Sequence, residues 1–176
     1  MKNPVPVLIY RLSQVRQQLG FVSPLAPQER AEVAEQLPPV ALQLFTTMSP
    51  ADQRHSLRVY QGLRARGWRD QDILTAALLH DVGKASGRVP FWTRPAIVLG
   101  KRCAPRLLAR LTRYPIEPQG LSRWRRALSY AWWHAEVGAD LAAGSGLSAR
   151  AVHFIRMHHR PDSPELAELH LVDEVS

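Results

Sequence analysis

The sequence predicts an all-α fold, and three observations predict it. Apolar residues recur at intervals of three and four almost throughout, and no stretch alternates cleanly over enough residues for a sheet. Caps and breakers also stand where helices would start and stop. With 176 residues and 45% apolar content, the chain is long enough for one buried core and too short for two ordinary domains. The expectation is a single domain over 1–176, with N-terminal helices within 5–47, a core over about 49–175 and a basic excursion over about 85–126.

A first helix is expected from Val7 to about Gly20, and Ser23-Pro24-Leu25-Ala26-Pro27 breaks the chain before a charged helix over Glu29 to Leu37. Pro38-Pro39 interrupts that helix. Ser49-Pro50-Ala51-Asp52 reads as a helix start, with serine as N-cap, proline at the first helical position and an acid in the first turn. That helix should run to Gly67. Asp70 caps the next, Gln71 to Asp81, which is apolar nearly all round and therefore central. Residues 85–121 are rich in Pro, Gly and Arg, with helical character around Ile97 to Arg102 and Arg106 to Arg113. One helix is expected over Trp124 to Ala143, closed by Gly144-Ser145-Gly146. Ser148 caps a helix to His159, and Ser163-Pro164-Glu165 starts a last one that carries Asp173. There is neither an internal repeat nor low complexity.

Composition narrows the function classes. The longest apolar stretches fall far short of the roughly 20 residues that cross a bilayer. The opening MKNPVPVLIYRLSQ is unlike a secretory signal, and the expected location is the cytoplasm. A single cysteine, Cys103, makes neither an internal disulfide nor a thiolate metal site, so any metal must be held by His, Asp or Glu. It reads as a small buried apolar residue. The net charge of +8 is uneven: residues 84–126 carry eleven Lys or Arg against one acid, whereas residues 127–176 carry three against seven. That middle segment would attract phosphate-bearing ligands, nucleic acid or an anionic membrane surface, or it is a solvated arginine-rich face.

The seven histidines are more specific. His80 falls in line with Ile73, Ala76 and Ala77, and His55 with Val59, Gly62 and Leu63. His134 shares a face with Ala127, Ala131, Val137, Gly138 and Leu141, and His159 with Val152 and Ile155. Asp173 lines up with Leu166, Leu169 and His170. Five helices thus each point a His or Asp inward. Each buried polar group left without a partner costs a few kcal/mol, and divalent metals would compensate all of them together. His153 and His170 have no place in this pattern. Tyr130, Trp132 and Trp133 beside His134 read as core packing.

His55, then Leu78-Leu79-His80-Asp81-Val82-Gly83-Lys84, then a distant Asp173 resemble the H…HD…D signature of HD-domain phosphohydrolases. HDVGK is very similar to the HDIGK form of that motif. His134-Ala135-Glu136-Val137-Gly138-Ala139 and the adjacent His158-His159 look like the extended version found in two-metal members. The match spans residues 49–175. It lacks the Gly-Tyr-Pro signature of cyclic-di-GMP phosphodiesterases, since His159-Arg160-Pro161-Asp162 stands at that point.

The resemblance implies an HD-domain helical bundle and a metal-dependent hydrolase of a phosphomonoester or phosphodiester, a nucleotide above all. By position, one metal would be held by His55, His80, Asp81 and Asp173, the other by Asp81, His134, His158 and His159, with Asp81 bridging. Imidazole and carboxylate donors suit two divalent ions of iron, manganese, nickel, cobalt or zinc. Such ions activate a water and neutralise phosphate charge. Asp81 and Lys84 are the catalytic candidates, Lys84 by placing an ammonium beside the phosphate or else by serving as a helix-terminal cation. Arg88 and Arg94 are further substrate-contact candidates, against a solvated surface role. The alternatives are an HD domain that binds a nucleotide or nucleic acid without turnover, and a di-iron oxygenase on the same ligands.

Overall fold

The computed structural model describes residues 22–87, 89–90, 92–117 and 119–176. The helix expected over Val7 to Gly20 and Arg88 lie outside them, and so does the side chain of Arg94. Ten α-helices are present and no strand among the described residues, in agreement with the all-α expectation. They are α1 (Pro27–Gln36), α2 (Pro39–Thr47), α3 (Pro50–Ala65), α4 (Gln71–Leu79), α5 (Thr93–Cys103), α6 (Pro105–Leu111), α7 (Arg123–Trp132), α8 (His134–Gly144), α9 (Ala149–Met157) and α10 (Pro164–Val175). A 3-10 turn (Val82–Gly87) follows α4.

The four helix starts read from serine and aspartate form as expected. Ser49 Oγ accepts from the Asp52 N–H at 3.2 Å and Asp70 Oδ1 from those of Asp72 and Ile73 at 3.1 Å. Ser148 and Ser163 do the same for α9 and α10. Each cap satisfies an N–H that the helix itself cannot. Helix α1 begins at Pro27 rather than Glu29, because the Glu29 carboxylate reaches back to the Ala26 N–H at 2.6 Å and closes the turn one step earlier. Pro39 does interrupt the chain, but it also opens α2, a helix within the expected N-terminal span 5–47 whose start the sequence reading did not mark, at the position where a missing N–H costs nothing.

Helix α4 is the central rod. Every residue from Ile73 to Leu79 is buried, and α1, α2, α3, α9 and α10 pack around it. At ~1.5–3 kcal/mol for each large aliphatic side chain, Ile73, Leu74, Leu78 and Leu79 anchor the core. Gly62 lets α10 cross close over α3, since a Cβ there would meet Val172 Cγ1 at 2.7 Å. Helices α5 and α6 pack on each other and on α7, away from α4. Among the described residues no helix is long and apolar enough to cross a membrane.

Three expectations are corrected. Helix α4 ends at Leu79, and the chain tightens into the 3-10 turn, with the Lys84 N–H donating to the Asp81 carbonyl at 3.0 Å. The single helix expected over Trp124 to Ala143 is two, broken at Trp133 (φ −103°, ψ 19°). Cys103 is exposed, at the end of α5, whose main helix contacts among the described residues are with α6 and α7.

Candidate metal centre

Five segments deliver the imidazoles and acids to one place. His55 comes from the second turn of α3, and His80 caps the C-terminus of α4 with Asp81 directly after it. His134 opens α8. His158 caps the end of α9, with His159 next, and Asp173 lies in the last turn of α10. The rings touch in sequence: His55 on His80 with centroids 5.3 Å apart, His80 on His158 at 5.1 Å, His158 on His134 at 5.4 Å and His134 on His159 at 4.9 Å. His55, His80 and Asp81 offer ligand atoms within 4.8 Å of one another, and so do His134, His158 and His159.

Asp81 stands between these two groups. Its Oδ1 lies 3.4 Å from His134 Nε2, and its Oδ2 lies 3.6 Å from His80 Nε2 and 2.5 Å from Lys84 Nζ. Asp173 Oδ1 is 2.8 Å from His55 Nε2 and 3.4 Å from His80 Nε2.

The second nitrogen of each ring explains how the histidines are held. His80, His134 and His158 each place Nδ1 against the backbone carbonyl three residues earlier, those of Ala77, Ala131 and Ile155, at 2.9, 2.9 and 2.7 Å. A carbonyl only accepts, so each Nδ1 carries a proton and Nε2 is the ring nitrogen turned toward the cluster. This is how metal-binding histidines are oriented by outer partners. Nε2 of both His80 and His158 is buried without a hydrogen-bond partner, and an uncompensated polar atom in a core is costly. A divalent cation fits these donors, and iron, manganese, nickel, cobalt and zinc favour such imidazole and carboxylate sets.

Charge follows the same division. Burial opposes ionisation of Asp81 and Asp173, but their partners prevail. Lys84 and the neighbouring imidazoles hold Asp81 well below the usual carboxylate range, and the His55 hydrogen bond together with the nearby His80 lowers Asp173. His80 is also opposed by burial, yet the carboxylates of Asp81 and Asp173 raise it to about 9. Burial wins at His134, which falls to about 3, and it lowers His158 and His159 as well. One half of the cluster is thus acid-rich and the other consists of neutral imidazoles.

The structure brings together His55, His80, Asp81, Lys84, His134, His158, His159 and Asp173. It alters the setting of two. His159 turns its ring to the cluster, with Nε2 3.0 Å from His134 Nε2, but as a residue it is exposed, because α9 ends at Met157 and the chain turns. Behind His134 lie Ala135, Gly138, Ala139 and Ala142, while Val137 and Leu141, expected beside it, are half-buried, a consequence of the break at Trp133. Arg88 and the Arg94 side chain lie outside the described residues. His153, taken as ordinary, pairs with Asp162 at the surface.

His170 was missed. It offers a ligand atom within 4.8 Å of those from His159 and Asp173, and its Nδ1 is buried without a partner. The available signal was its position one turn before Asp173 on the same helix. A surface recess lined by Gln36, Gln71, Asp72, Thr75 and Ser148 shares none of these residues. Comparison with family models, with curated proteins and with solved structures finds no match to this chain.

Proposed function

We propose that this chain is an HD-type metal-dependent phosphohydrolase whose substrate is a phosphomonoester or phosphodiester, a nucleotide above all. The observation that carries this reading is Asp81. It is a buried carboxylate with one oxygen toward His134 and the other toward His80, between two groups of imidazoles in which Nε2 of His80 and of His158 has no hydrogen-bond partner.

His55, His80 and Asp173 would hold one cation, His134, His158 and His159 the other, and Asp81 both. When bound, two divalent ions of iron, manganese, nickel, cobalt or zinc supply a water ionised near neutral pH and offset charge on the phosphate oxygens. The protein's own part is positioning. The Ala77, Ala131 and Ile155 carbonyls keep three rings from turning, so the donors need no rearrangement. Lys84 holds Asp81 Oδ2 at 2.5 Å from a half-buried position on the 3-10 turn. Among the described residues its ammonium is the Lys or Arg cation nearest that carboxylate, suited to an anionic substrate.

Elemental analysis of the purified protein is expected to find about two transition-metal ions per chain, and Asp81→Ala is expected to lose most of them. Hydrolysis of a generic phosphodiester or of nucleotide monophosphates is expected with manganese, iron, nickel or cobalt, and it should vanish in His80→Ala. A broad substrate panel without turnover under every metal overturns the enzymatic reading in favour of a binding domain. Turnover strictly dependent on iron and oxygen replaces it with an oxygenase.

A further inference from the structure

Helices α5 and α6 form a hairpin that is built differently from the rest of the molecule. Leu108 is its inner residue, packed beneath Gly100, where an added Cβ would meet Leu108 Cδ2 at 3.0 Å. Its outward side carries both bare aliphatic and basic side chains. Val98, Leu99 and Leu107 are 68, 63 and 55% exposed. Beside them Arg102, Arg106 and Arg110 are exposed and form no ion pair among the described residues.

We propose that this hairpin docks on an anionic lipid bilayer. The charge decides the sign of the partner: residues 84–126 carry eleven Lys or Arg against one acid, so a second copy of the same face would be repelled and an anionic surface attracted. The aliphatic side chains decide its kind. Nucleic acid recruits arginines to phosphates and aromatic rings to bases, and it leaves bare Val and Leu side chains in water. A bilayer interface takes up both, with the aliphatic groups among the acyl chains and the guanidinium groups at the headgroups. The hairpin lies on the surface and does not span, since no described helix is long and apolar enough to cross. The inference is independent of the phosphohydrolase reading, because the hairpin's own Lys101, Arg102, Arg106 and Arg110, with no acid on either helix, supply the charge without any residue of the cluster.

The test is co-sedimentation of the full chain with vesicles of phosphatidylcholine alone and of phosphatidylcholine with phosphatidylglycerol. Binding is expected only to the anionic vesicles, weakening as salt rises. Arg102→Gln, Arg106→Gln and Arg110→Gln should each weaken it about five-fold. The triple variant Val98→Ser, Leu99→Ser, Leu107→Ser should abolish most of it with helical circular dichroism unchanged, because these side chains are solvent-facing. Absence of binding to anionic vesicles overturns the proposal. So does binding to mixed RNA or DNA that needs the arginines but survives the aliphatic variant, and so does a dimer in solution that the aliphatic variant dissociates.

Discussion

Gly83 is where the two halves of the histidine and aspartate cluster are pressed together, and replacing it by alanine tests the whole arrangement. A Cβ at this position would lie 2.1 Å from the His134 carbonyl oxygen, 2.8 Å from the Gly138 nitrogen and 2.9 Å from the His134 carbonyl carbon. All three are backbone atoms of α8, so no side chain can rotate out of the way. Ordinary contact begins near 3.4 Å, so the turn and the helix must part by roughly 1 Å. Overpacking of this kind costs ~3 kcal/mol, which at this chain length is a fall in Tm of about 6–12 °C. The same displacement pulls His134 from Asp81, now 3.4 Å apart, by more than the ~0.2 Å that metal-ligand distances tolerate. Gly83→Ala should therefore lose the ion on the His134 side and keep more of the one held by His55, His80 and Asp173. Differential scanning fluorimetry and elemental analysis read both effects. Gly144→Ala is the control: nothing lies within 4 Å of its Cβ, and alanine in a helix gains about 0.5–1 kcal/mol over glycine. A Gly83→Ala protein with wild-type Tm and metal content would refute the reasoning.

Removal of Lys84 is expected to matter most without metal. Lys84→Ala deprives buried Asp81 of its nearest cation, but His80 remains beside it, so ~1–2 kcal/mol is expected in chelator. Equal losses with and without metal would contradict this. His158→Ala should retain the His55 side of the cluster and lose the His134 side, which metal titration by calorimetry separates; loss of all metal would argue for a single shared site. Acid should destabilise the chelated protein from near neutrality. Burial pushes His134 down to about 3 and lowers His158 and His159, whereas unfolded histidine takes up its proton near pH 6.5. Their contribution is therefore complete above about pH 6.5 and is lost as pH falls toward the folded values. His80, opposed by burial but raised to about 9 by the carboxylates, works in the opposite window: its contribution is complete below about 6.5 and lost as pH rises through 9. A Tm that stays flat between pH 7 and 5 in chelator would count against the buried neutral imidazoles.

Legibility from sequence divides along the range of the interactions involved. Ser49, Asp70, Ser148 and Ser163 mark helix starts through contacts two or three residues away, and each forms in the structure. The buried face of α4 and the inward placement of His80 follow from period alone. The break at Trp133 has no such local mark. The hydrophobic period runs straight across it, and only packing against the 3-10 turn accounts for a new helix opening at His134. His170 escaped notice because its neighbour His159 lies eleven residues back and on another segment.

Residue order by itself determined an all-helical chain, the places where its helices begin, and the histidines and acids able to donate to a cation. Tertiary structure decided the rest. Gly62 and Gly83 let helices approach closely enough for Asp173 to reach His55 and for the turn after Asp81 to press on His134. Helix caps and periodicity are short-range properties written within one turn, whereas convergence of five segments depends on contacts between residues up to 118 positions apart, as His55 and Asp173 are.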